Sequence, residues 1–117
     1  MAQHPKFSVS VVTPEGPAFE GEAEMIVVPG AAGEIGVLAR HAPLIATLKA
    51  GSTRVHLSDT EIIEFATGPG FFQVLQDRAI ALVDDAIEAA KIDADRWQLE
   101  QRIRHAENQL SVSGRTT

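Results

Sequence analysis

Residues Val28–Gly51 read "VPGAAGEIGVLARHAPLIATLKAG", and the fold turns on how this stretch is understood. Its four glycines and two prolines punctuate an otherwise apolar run, which fits either a nucleotide-binding turn or short strands joined by tight turns. The glycines at 30, 33 and 36 are spaced G-x-x-G-x-x-G, whereas a dinucleotide fingerprint is G-x-G-x-x-G. Such a site also needs a helix directly after the turn, with its N-terminus facing the pyrophosphate. Pro43 disfavours a helix running on from Gly36. The Gly-Lys-Ser/Thr of a phosphate-binding loop occurs nowhere in the chain. The stretch is therefore read as strands and turns.

The flanking sequence agrees. In "FSVSVVT" the residues Phe7, Val9 and Val11 share one face and Ser8 and Ser10 the other, the alternation of a half-buried strand. Pro14 and Gly16 stop it. "AEMIVVP" is a second apolar run, closed by Pro29-Gly30. "STRVHLSDTEIIEFAT" reads as a hairpin, with Thr53, Val55 and Leu57 on one face and the turn near Ser58-Asp59. "GFFQVLQDRAIALV" reads as another, turning at Gln76-Asp77, with Ile80 and Leu82 on a common face. Short strands between frequent turn signals predict a two-layer β-sandwich over residues 1–84.

Beyond Val83 the β-branched residues give way to Ala, Glu and Gln, and residues 85–117 are read as a C-terminal helical segment. Asp93 is placed to accept first-turn N–H groups at a helix start. Leu99, Ile103, Ala106 and Leu110 then form an apolar stripe, expected to pack on the sandwich. The fold class is thus mainly β with α at the C-terminus.

Several functions are disfavoured by composition. The formal charge is −6, with Lys and Arg scattered, which argues against the basic stripe of a nucleic-acid binder. No cysteine is present, so thiolate metal sites and cysteine nucleophiles drop out. "MAQHPKFSVSVV" lacks the basic head and long apolar run of a signal peptide, and no run of about 18 apolar residues occurs. His4, His41, His56 and His105 stand apart, without helical ligand spacing. His56 alternates outward from Val55 and Leu57 and is expected to be solvated. Asp84-Asp85 falls at the expected strand-to-helix junction, where capping or solvation explains it better than acid–base chemistry. A non-catalytic chain with no required cofactor and no metal is the outcome.

One pattern is more specific. Pro29, Gly30, Gly33, Glu34, Gly36, Val37, Leu38, His41, Ala42, Pro43 and Leu44 fit P-G-x-x-G-E-x-G-V-L-x-x-H-A-P-L, so the chain resembles the ε subunit of F-type ATP synthases. "GPGFFQVLQDRAIALVDDA" is similar to a second family segment, with Pro69 in place of a glycine and Gln73 in place of a glutamate. The resemblance implies a ten-stranded β-sandwich followed by a helical hairpin. It also implies a rotor role, joining the γ subunit to the ring of c subunits in proton-driven ATP synthesis. Glu34 would face the polar loops of the c ring, and His41, Ala42 and Pro43 the γ subunit. A hydrogen bond locking the turn before Pro43 is the structural alternative for His41. Gly33 and Gly36 are expected to supply special backbone conformations or close approach.

Some relatives bind ATP through an I/L-D-x-x-R-A motif. Ile92, Asp93 and Arg96 match it, while Trp97 replaces the alanine, and helix capping by Asp93 competes with that role. The resemblance also implies contact of the C-terminal helix with the α and β subunits and restraint of ATP hydrolysis. Only seven residues follow Leu110, too few for the second helix of relatives, so a hydrolysis-blocking state is expected to be weak. A position at the cytoplasmic face of a bacterial plasma membrane is expected, without insertion into it. The rival reading is a free-standing β-sandwich binding module that dimerises through its C-terminal helix. A small enzyme using the "GEIGVLARH" turn is a third.

Overall fold

The computed structural model describes residues 4–89. The expected helical stripe, and the ATP-motif residues Ile92, Asp93 and Arg96, lie outside them. Ten strands follow one another: β1 (Phe7–Thr13), β2 (Gly16–Ala23), β3 (Met25–Gly30), β4 (Gly33–Leu38), β5 (Leu44–Leu48), β6 (Gly51–His56), β7 (Ile62–Thr67), β8 (Gly70–Leu75), β9 (Arg78–Val83) and β10 (Ala86–Glu88). They hydrogen-bond along the path β10-β7-β6-β3-β5-β8-β9-β1-β2, with β4 beside β3. The path folds back on itself. Strands β4-β3-β6-β7-β10 make one layer and β5-β8-β9-β1-β2 the other, joined where Gly30 pairs with Leu48. A Cβ at Gly30 would meet the Gly33 carbonyl oxygen at 2.6 Å and Ile35 Cδ1 at 2.8 Å, so this corner requires glycine.

The alternation in β1 is the one its sequence predicts: Phe7, Val9 and Val11 are buried, with Ser8 and Ser10 on the opposite face. They join Ile26, Val28, Val37, Val55, Phe65, Phe72 and Val74 in one core shared by both layers. Burying each of these side chains contributes roughly 1.5–3 kcal/mol. Two polar groups inside satisfy each other. The Thr53 and Thr67 hydroxyls lie 2.9 Å apart, and Thr67 Oγ1 donates to the Gly51 carbonyl at 3.3 Å.

Ile80 and Leu82 share a face as expected; it is the outer one, since β9 sends Ala79, Ala81 and Val83 into the core. One expectation is corrected. Residues 86–88, read as the beginning of the helical segment, form β10, antiparallel to β7. Asp84-Asp85 therefore links two strands. Its backbone is held against Gly68-Pro69: the Asp84 N–H donates to Pro69 O and the Gly68 N–H to Asp85 O, both at 3.0 Å.

Candidate docking surfaces

The Val28–Gly51 stretch forms the β3–β4 hairpin, a loop and β5, with no helix. At the hairpin tip Gly33 has φ 145°, a conformation that side chains resist, which is why glycine stands there. Gly36 differs. A Cβ there would meet only Val27 Cγ2, at 4.0 Å, so neither reason given for it from the sequence applies.

Glu34 follows Gly33 and projects from the outer face of β4, its side chain 59% exposed. It is not a free carboxylate. Arg54 in β6 reaches across β3, and its Nη2 donates to Glu34 Oε2 at 3.2 Å and Oε1 at 3.3 Å. One residue pair away along β6, Ser52 Oγ donates to Glu64 Oε2 at 2.5 Å. Glu64 is also the register partner of Arg54. The outer face of this layer thus carries an ion pair and a second carboxylate bonded to a serine, beside the exposed Leu38 and Ile62.

His56 shares that face and contradicts its sequence reading. Its Nε2 is buried and has no hydrogen-bond partner among the described residues, so it is not a solvated strand histidine.

His41, Ala42 and Pro43 lie beyond the other end of β4, all exposed, in the loop leading to β5. His41 Nδ1–H donates to the Ala42 carbonyl at 2.7 Å, which matches the turn-locking role. Just before it, Arg40 has φ 64°, and its backbone N–H donates to Asp77 Oδ1 at 2.5 Å.

The loop borders a surface that sequence reasoning missed. On the outer face of β5, β8 and β9, Ile45 is 76% and Phe71 59% exposed, with Leu75 and Leu82 nearly half exposed. Register sets Ile45 beside Gln73 and Gln73 beside Ile80, and Thr47 beside Phe71 and Phe71 beside Leu82. Phe71 and Leu82 are thus direct cross-strand neighbours, and Ile45 lies diagonal to Phe71 and Leu75 across Gln73. A groove of about 450 Å³ runs among Pro43, Leu44, Ile45, Gln73, Val74 and Leu75, where the loop meets this face. The signal was present in "GFFQVL", where Phe71 and Leu75 must oppose Phe72 and Val74. A contiguous apolar patch of this kind marks an interaction site more often than a solvated surface.

Residues 6–89 match the family model described as the ATP synthase Delta/Epsilon chain, beta-sandwich domain. The chain belongs to that family. It is 41% identical over 90 residues to an ATP synthase epsilon chain of Dichelobacter nodosus, the match spanning 77% of this chain and 63% of the relative. It is 40% identical over 110 residues to ATP synthase epsilon chain 2 of Ralstonia nicotianae, spanning 93% and 77% respectively. The chain thus spans less than two thirds of the first of these relatives and about three quarters of the second. Among solved structures it is similar in fold to a chain of the Euglena gracilis mitochondrial ATP synthase assembly containing OSCP, F1 and the c ring. The TM-score there is 0.73 at 18% identity, covering 92% of this chain and 69% of that one. These relatives are epsilon chains of the synthase rather than its catalytic subunit, and the reading of a non-catalytic chain stands on them. Among the described residues no helix is long and apolar enough to cross a membrane.

Proposed function

We propose that this chain is a rotor coupling subunit that ties γ to the c ring during proton-driven ATP synthesis, at the cytoplasmic face of a bacterial plasma membrane. The γ subunit docks on the outer face of β5-β8-β9, beside His41, Ala42 and Pro43. The observation that carries this is the apolar patch of Ile45, Phe71, Leu75 and Leu82 adjoining that loop, in a chain of the epsilon family. Leaving such a patch in water forgoes roughly 25 cal/mol for each Å² that a partner would cover.

Glu34 meets the polar loops of the c ring from the other layer. It does so as half of an exposed ion pair with Arg54, which is worth about 0–1 kcal/mol. Exchanging Arg54 for a basic group on a c subunit therefore costs little. The segment beyond the sandwich contributes regulation of ATP hydrolysis through the α and β subunits.

The test is titration of the full chain with purified γ, alongside His41→Ala, Phe71→Glu and Glu34→Ala. One-to-one binding that Phe71→Glu abolishes, His41→Ala weakens and Glu34→Ala leaves alone is the expected result. A chain that ignores γ and instead self-associates would favour the free-standing dimerising module.

A further inference from the structure

Among the described residues, three that are not glycine hold left-handed backbone conformations: Arg40 (φ 64°), Gln76 (φ 52°) and Asp77 (φ 58°). They meet at one place. Gln76 and Asp77 are the two residues between Leu75 and Arg78, which pair directly across β8 and β9. A two-residue connection with both φ values positive is the type I′ hairpin turn, for which Asn-Gly is the favoured sequence. Glycine at 77 would suit the backbone better than aspartate does.

What aspartate supplies and glycine cannot is an acceptor. Asp77 Oδ1 takes the backbone N–H of Arg40, a bond spanning 37 positions that joins the β8–β9 turn to the β4–β5 loop. Among the described residues this is the hydrogen bond that ties residues 39–43 to another part of the sandwich. The bond from His41 Nδ1 goes only to its own neighbour, Ala42. The turn itself does not depend on the Asp77 side chain for its place. Its backbone carbonyl accepts the Ser8 N–H from β1 at 3.2 Å.

We propose that Asp77 is a positioning residue for γ docking. Its carboxylate fixes the Arg40 turn so that His41, Ala42 and Pro43 stand in one arrangement beside the apolar face. The ordering of the loop is then completed on folding and does not detract from association. The inference rests on the γ-facing reading of that loop and adds the device that holds it.

The experiment uses the full chain with Asp77→Asn, Asp77→Gly and Asp77→Ala. Three quantities are measured: affinity for γ, thermal midpoint, and amide exchange at Arg40. Asparagine keeps an acceptor oxygen and tolerates the left-handed region, so Asp77→Asn matches wild type in all three. Asp77→Gly keeps the turn but loses the acceptor. Its midpoint stays with wild type, its Arg40 amide exchanges faster, and γ binds about tenfold more weakly. Asp77→Ala loses both, with a lower midpoint and the same loss of affinity.

A structural role alone would make affinity follow the midpoint, so that Asp77→Gly bound γ like wild type. That result, or unchanged Arg40 exchange in Asp77→Gly, overturns the proposal while leaving γ docking intact. Failure of the wild-type chain to bind γ at all overturns the docking reading and this inference with it.

Discussion

Both layers of the sandwich expose apolar side chains on their outer faces, Leu38 and Ile62 on one and Ile45, Phe71, Leu75 and Leu82 on the other, but among the described residues only the first also carries an ion pair. On β4-β3-β6-β7 the polar side chains find partners within the layer: Arg54 pairs with Glu34, and Ser52 donates to Glu64. On β5-β8-β9 the exposed apolar groups Ile45, Phe71, Leu75 and Leu82 stand among Thr47, Gln73 and Arg78. Self-answered polar surface gains little from any one partner and loses little when that partner leaves. Exposed apolar surface gains from burial in proportion to area and is best covered for good. A subunit held to two partners can offer the apolar face to one and the ion pair to the other, and the two lie on opposite layers of the sandwich.

The comparison breaks first at Phe71. Phe71→Glu places a charge in the middle of the apolar patch and should weaken γ binding by 100-fold or more, about the 2.7 kcal/mol or greater of an interface hot spot. Phe71 is more exposed than buried, so circular dichroism and the thermal midpoint should remain close to wild type. Unfolding of this variant would mean that the outer face is part of the core after all.

The next largest effect falls on the corner that sets the layers against each other. Gly30→Ala puts a Cβ against the Gly33 carbonyl and Ile35, and overpacking of this kind costs about 1–3 kcal/mol. Urea unfolding should show the loss. If Gly30→Ala were as stable as Gly36→Ala, where space is open, the corner would not be the constraint described. Inside the sandwich, Thr53→Val leaves the Thr67 hydroxyl with only its 3.3 Å bond to Gly51 and should cost about 1 kcal/mol in the same assay.

The smallest effect belongs to the ion pair. Arg54→Met should change stability by less than about 1 kcal/mol, with the difference shrinking further at high salt. A larger loss would show that the pair is structural and that Glu34 is not available for exchange.

Much of this was legible in the sequence. The alternation in "FSVSVVT" reads directly as the buried face of β1, and the Gln76-Asp77 turn sits where two apolar runs meet. Other features were hidden for physical reasons. In "RAIALV" the core takes the small residues Ala79 and Ala81 while Ile80 and Leu82 face outward, so side-chain size alone does not say which face is buried. The Glu34–Arg54 pair lies 20 positions apart with β3 between, and the Asp77–Arg40 bond 37 apart; neither leaves any local trace. Asp84-Asp85 looks like a helix entry because the composition changes there, yet the backbone pairs with Gly68-Pro69 and continues as strand. His56 alternates outward as read, but its Nε2 is nonetheless buried. Glu34 and His41 were found through the likeness to a family, and periodicity alone would not have singled them out.

The central claim is that the two outer surfaces do different work, and one titration tests it directly. The full chain, Phe71→Glu and Glu34→Ala are each titrated with γ under identical conditions. The account predicts tight one-to-one binding for wild type and Glu34→Ala, and its loss for Phe71→Glu. Equal binding by all three, or loss in Glu34→Ala alone, would contradict it.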